Sequence, residues 1–301
     1  MVLYFLNLAL GKHLGCVFYL PKQRVTITLD AKIVREVDLL VDGFEVRSRS
    51  EAVENILYDF LSSRKTAVVI AGGHPDSLLI PELNVFRPLI PLGSFTLIED
   101  TLVKVRAAGF EKIFIVGLHP VLTAIYQVVR DGSDLGVKVE YVEESEVLGT
   151  AKTLQMVQNK ISSDFLLVPS DTFFDFNLSS LRDFHFRQRA SATFAIYTKT
   201  TFDSQYKGVV EMEGSHITSH VERPDRPSSH LVKTMIGMVS PEIFEFIPNG
   251  PIHYTLEHHV INDLITERKC FGFVVSGDWF NVHSFSDYQQ LRSFLSQQSS
   301  E

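Results

Sequence analysis

From Thr66 onward, strand-sized apolar runs alternate with helix-sized amphipathic ones, and this alternation limits the possible folds more than any other feature of the chain. Thr66 to Ala71 (TAVVIA) is continuously apolar and ends on Gly72-Gly73, the pattern of a strand buried on both faces. An amphipathic stretch from Thr96 to Ala108 follows, then a strand KIFIV at 112–116, a helix near 121–130 and a strand VKVEYV at 137–142. A helix after Gly149 and the run FLLVPSD at 165–171 continue the series. Strands separated by helices need crossover connections, so the spacing predicts an α/β fold with a mainly parallel sheet. Beyond Ser191, the segments ATFAIY, GVVEME and HITSHVE read as antiparallel strands. Pro241 to Phe246 and Glu257 to Arg268 read as helices, and FGFVV at 271–275 as a last strand. No internal repeat is visible, and only Ser296 to Glu301 reads as disordered.

Ahead of Thr66 the pattern changes. In Gln23 to Leu29, Val25, Ile27 and Leu29 fall on one strand face and Arg24, Thr26 and Thr28 on the other. Asp30 stands at an N-cap position before the helical stripe Ile33, Val34, Val37, Leu40 and Val41, and Gly43 marks its end. Ser48-Arg49-Ser50-Glu51 reads as a capping box before Val53, Ile56, Leu57, Phe60 and Leu61. One strand and two helices in about 40 residues complete neither a sheet nor a core, which implies dimerisation. Ser62-Ser63-Arg64-Lys65 reads as a polar hinge. The expected organisation is an apolar extension at 1–21, a strand-helix-helix unit at 22–63 and an α/β domain at 66–296. Met1 to Leu20 is apolar, but Lys12 and His13 interrupt it, no Lys or Arg precedes it and no small-residue cleavage pattern follows, so it reads as neither a membrane span nor a signal peptide. It reads as a packed strand or helix, or as residues ahead of a downstream start. A cytoplasmic protein with no membrane partner is expected.

Composition narrows the chemistry. With 28 Lys and Arg against 36 Asp and Glu, the formal charge of −8 excludes a chain that coats nucleic acid, so any DNA contact must be focused. Two cysteines, Cys16 and Cys270, without CxxC spacing suggest neither a disulfide framework nor a zinc site. A GxGxxG fingerprint is missing, which argues against a dinucleotide oxidoreductase. His253, His258 and His259 read as surface or packing residues, and Trp279 as core.

The segment RVTITLDAKIVREVDLLVDGFEVRSRSEAVENILYDFL resembles the ribbon-helix-helix family of dimeric transcription regulators. The resemblance implies a homodimer or higher oligomer whose paired strands enter the major groove of a DNA operator. Arg24, Thr26 and Thr28 would read bases, and the backbone at Ser48, Arg49 and Ser50 would meet a phosphate.

The remainder resembles the sugar-phosphate nucleotidyltransferases, which join an NTP and a sugar 1-phosphate into an NDP-sugar. It implies a Rossmann-like three-layer α/β/α domain of the GT-A-like kind. The residues that carry it are Ala71-Gly72-Gly73, Arg87-Pro88-Leu89, Leu148-Gly149-Thr150-Ala151, Pro169-Ser170-Asp171, Glu222-Arg223-Pro224 and the segment from Gly277 to Val282. By position, Ala71, Gly72, Gly73, Arg87, Glu143, Gly149 and Thr150 would hold the nucleotide. Asp171 and, weakly, Asn281 would hold Mg²⁺, while Glu222 and Arg223 would approach the sugar phosphate. A triphosphate needs close backbone approach, hence glycine, and cations that offset its charge.

The departures are as informative. His74-Pro75-Asp76-Ser77 replaces a Gly-Thr-Arg loop and puts an acid near the expected phosphates. Arg87 replaces a lysine, Asn281 the second metal-binding aspartate, and His283 a glycine. The expectation is therefore a DNA-binding regulator whose large domain binds a nucleotide or nucleotide sugar as effector. The alternative is an active Mg²⁺-dependent transferase whose N-terminal arm dimerises it or regulates its own gene.

Overall fold

The computed structural model describes residues 24–44, 46–61, 65–199 and 208–298. The apolar stretch at 1–20, the residues Pro21-Lys22 and most of the hinge lie outside the described residues. The chain divides into two compact units, Met1–Tyr58 and Asp59–Glu301.

In the first unit, α1 (Ala31–Leu39) begins where Asp30 caps it, the carboxylate accepting from the Lys32 N–H at 2.7 Å. The second helix, α2 (Arg49–Leu61), starts as its capping residues dictate: Ser48 Oγ accepts from the Glu51 N–H. Glu51 in turn accepts from the Arg47 N–H, one residue earlier than a capping box requires. The expected strand is corrected. Residues 24–30 form no strand, and Val25 is 72% and Ile27 53% exposed. A β-ribbon gains its hydrogen bonds from a neighbour, and a single copy of this segment offers none.

The second unit is built on a sheet whose strands are β1 (Thr66–Ala71), β2 (Lys112–Leu118), β3 (Lys138–Glu144), β4 (Phe165–Pro169), β5 (Ala192–Thr198), β6 (Val209–Glu213), β7 (His216–Val221), β8 (Leu231–Val239) and β9 (Cys270–Val274). Strands β4, β1, β2 and β3 run parallel in that spatial order. Beyond β4 the sheet turns mixed: β8 is antiparallel to β4 and to β5, and β5 is parallel to β9. So β5 is not wholly antiparallel as expected, whereas β6 and β7 do form an antiparallel hairpin. Strand β8 escaped the sequence reading altogether.

Side chains from β1 feed both faces. Val69 and Ala71 join one apolar layer with Leu102, Val105, Val121 and Ile125 from α3 (Leu97–Ala107) and α4 (His119–Val129). Val68 joins the other with Phe114, Leu154, Phe165 and Ile261. Helices therefore cover both faces of the sheet at its centre, and β1, β2 and β4 are almost wholly apolar because neither of their faces meets water. Gly117 is required here, since a Cβ would lie 2.5 Å from the Ala71 carbonyl oxygen of the neighbouring strand. A third cluster beneath the loops joins Ile80, Ile90, Leu97, Phe173 and Val282 to Tyr288 and Leu291 of α5 (Phe285–Gln298). That helix runs through Ser296, so the expected disordered tail is corrected up to Gln298.

Candidate functional site

The carboxyl ends of β1 and β4 open into a cleft of about 660 Å³. Ends of parallel strands collect ligands because loops and helix starts converge there. Of the positions singled out from the sequence, Gly72, Gly73, Arg87, Thr150, Asp171, Glu222, Arg223 and Asn281 line this cleft. Residues 72 and 281 are far apart in the chain, so the fold has gathered them.

Ala71, Glu143 and Gly149 do not line it. Ala71 is buried behind the glycines. Glu143 sits on the exposed end of β3, outside the lining of this cleft and paired with His119 at 3.1 Å. Its neighbour Glu144 points inward instead, because strand side chains alternate. Glu144 accepts from Thr153 Oγ1 at 2.7 Å, and burial pushes its carboxyl above the ordinary range. Gly149 shapes the turn at φ +98°, where a Cβ would lie 2.6 Å from the Tyr254 carbonyl oxygen. Gly72 is needed for closeness: a Cβ there would meet Thr153 Oγ1 at 2.7 Å.

The loop that replaces Gly-Thr-Arg behaves differently from expectation. Pro75 opens the short helix Pro75–Leu78, and Asp76 is turned outward, its side chain 91% exposed and 3.3 Å from His74. Ser77 and Leu78 face the cleft instead. The feared like charge beside the phosphates is thus absent from the lining.

Asp171 is the electrostatic centre of one corner. Its Oδ2 lies 3.2 Å from Arg87 Nη1 and 3.3 Å from His283 Nε2, and the Asp171 and Arg87 side chains are 14% and 15% exposed. Burial opposes ionisation of Asp171, yet the contacts with His283 and Arg87 outweigh it and hold the carboxyl below the usual range. Asn281 Oδ1, Arg87 Nε and Trp279 Nε1 are buried without hydrogen-bond partners. The resemblance placed Mg²⁺ at Asp171 and Asn281. A hard dication wants several oxygen ligands, ionised ones first. Here the one carboxylate already faces two nitrogen groups, and among the described residues no three His, Cys, Asp or Glu side chains converge. With Asp171 engaged by Arg87 and His283, the donor set as arranged does not fit a Mg²⁺ held by the protein alone.

The opposite wall carries a second charged group. Glu222 lies 3.0 Å from His220 Nε2 and 4.0 Å from Lys233 Nζ. Burial resists its ionisation, but the His220 hydrogen bond and the Lys233 charge bring its carboxyl down to about 2. Lys233 is itself buried, which lowers its ammonium pKa, with Glu222 and Glu257 opposing. Thr150 donates to Glu257 at 2.6 Å and accepts from the Leu256 N–H at 2.9 Å. Lys233 and Glu257 were missed in the sequence, and His258 was read as surface or packing and Trp279 as core; all four line the cleft. A signal existed in LVKTMIGMV, where a lysine interrupts an otherwise strand-like apolar run. Two residues later Met235 sits at φ +62°, inside a bulge where β8 spends two more residues than β5.

Arg24, Thr26 and Thr28 lie in the exposed stretch at 24–30, and Ser48, Arg49 and Ser50 are exposed at the start of α2. Arg49 is not a free cation: its Nη2 donates to Asp38 at 2.7 Å.

The sheet is mixed rather than mainly parallel as expected; its parallel half, covered by helices on both faces, carries glycines at a strand end and cations around the cleft, a frame on which α/β domains bind phosphorylated ligands. Residues 66–298 match the nucleotidyl transferase family, and the chain belongs to it. It is similar to the mannose-1-phosphate guanyltransferase of Yarrowia lipolytica, 24% identical over 73% of this chain and 61% of that protein. With the mannose-1-phosphate guanylyltransferase of Mycobacterium tuberculosis it shares 26% identity over 74% of this chain and 62% of that one. The chain thus spans about three fifths of the length of these relatives. A crystal structure of a putative glucose-1-phosphate thymidylyltransferase from Bacillus anthracis shares the fold, with a TM-score of 0.69 and 18% identity over 77% of this chain and 94% of that one. Among the described residues no helix is long and apolar enough to cross a membrane.

Proposed function

We propose that the cleft binds an NTP and a sugar 1-phosphate and catalyses nucleotidyl transfer between them. The observation that supports this best is the convergence of Gly72, Gly73, Arg87, Asp171, Glu222 and Arg223 on one cleft. In the reaction a phosphate oxygen of the sugar 1-phosphate attacks the α-phosphorus, and the bond to the β-phosphate breaks. Pyrophosphate leaves with the electron pair. Gly72 and Gly73 let the backbone approach the triphosphate, Arg87 and Arg223 offset charge, and Glu222 accepts from sugar hydroxyls. Purified protein given GTP with mannose 1-phosphate, or dTTP with glucose 1-phosphate, is expected to release pyrophosphate. Arg87→Ala should lower kcat/KM by about 10²-fold or more. Failure of every NTP and sugar phosphate pair to give turnover would overturn the transferase reading.

A second reading is favoured by one observation, the engagement of Asp171 by Arg87 and His283. In it the cleft binds a nucleotide sugar without turning it over, and the ligand biases a ribbon-helix-helix dimer on a DNA operator. Arg24, Thr26 and Thr28 are then the base readers. With operator DNA selected from a random pool, Arg24→Ala and Thr26→Ala should each weaken binding about 5- to 150-fold in gel-shift titrations. Unchanged affinity in both variants sinks the DNA half.

A further inference from the structure

The Asp171 corner departs from the metal-binding arrangement in two linked ways. One expected carboxylate is the neutral Asn281, and the carboxylate that remains is paired with a guanidinium at 3.2 Å. Asp171 and Arg87 together sum to zero charge, so a dication added to them would leave the corner at two positive charges. His283 Nε2 stands against the same carboxylate oxygen, 3.3 Å away. Arg87 Nε and Trp279 Nε1 are buried donors without a hydrogen-bond partner, and an anionic phosphate oxygen is the kind of group that satisfies them. Gly72 and Gly73 at the β1 end line the same cleft.

We infer that Arg87, held by Asp171 with His283 behind it, stands in for a divalent cation, so that the cleft takes the diphosphate of a nucleotide sugar without metal. This rests on the proposed nucleotide chemistry of the same cleft, and the test separates the two. Calorimetric titration of the full chain with GDP-mannose, UDP-glucose and dTDP-glucose is run once in EDTA and once in MgCl₂. Affinity for whichever probe binds should agree within about twofold, and tightening by more than about tenfold in Mg²⁺ overturns the inference. In parallel, electron paramagnetic resonance follows free Mn²⁺ added to the protein alone. Wild type should leave Mn²⁺ free up to about millimolar concentration, whereas Asn281→Asp combined with His283→Gly should bind it at least about tenfold more tightly. Stoichiometric Mn²⁺ uptake by wild type that disappears in Asp171→Asn overturns the inference. Should the double variant melt early, Asn281→Asp alone serves, with gain of Mn²⁺ affinity again the expected result and none the adverse one. If no nucleotide sugar binds in either buffer, the nucleotide reading fails, and the Mn²⁺ titration still decides whether this corner holds a metal.

Discussion

Replacing Asp171 with alanine is expected to lower the unfolding free energy by about 3–5 kcal/mol, because it strands a buried guanidinium. Arg87 is only 15% exposed, it pairs with the Asp171 carboxylate at 3.2 Å, and its Nε is already unpartnered. Water cannot readily compensate the lost charge there. For a domain of this size the melting temperature should fall by roughly 2–4 °C per kcal/mol. Adding Arg87→Met to Asp171→Ala removes the orphaned cation, and much of the loss should return. A loss below about 1 kcal/mol in the single variant would mean that solvent reaches the pair as it does surface salt bridges.

The second large effect is expected from Phe114→Ala on β2. The ring is fully buried in the layer with Val68, Leu154 and Phe165, and Lys112 Nζ lies 4.6 Å from its centroid. Losing it removes apolar burial and opens a cavity between the sheet and the layer packed on that face, a cost of about 3–5 kcal/mol. Chemical denaturation should show a lower midpoint with an unchanged slope. A changed slope would point to an altered unfolded state instead.

These two residues also mark what was readable in advance. Phe114 belongs to a run whose length and uniform apolarity could only be a strand buried on both faces. Asp171 was legible because a carboxylate follows the apolar run of β4. Its partners were not, since Arg87 and His283 reach it through loops that no periodicity describes. Strand β8 was hidden by Lys233, a charge that reads as exposure and is in fact buried opposite Glu222. Helix α5 was overlooked because serines and glutamines dominate its surface, although Tyr288 and Leu291 keep helical spacing. The reverse error occurred at 24–30, where perfect alternation suggested a half-buried strand. Alternation reports an amphipathic ribbon, and burial of that ribbon depends on a second strand.

The placement of Trp279, Asn281 and His283 on the wall facing Asp171 bears on the order in which the molecule is made. Strands β1 and β4 and the Arg87 loop leave the ribosome long before the segment at 279–283. A nascent chain can therefore form its parallel sheet early, as domains commonly do during synthesis. It still lacks one wall of its cleft, and lacks the helix α5 that packs Tyr288 and Leu291 beneath it. Under the proposed function, a chain truncated before Trp279 is expected to lose nucleotide binding, because that wall of the cleft is missing.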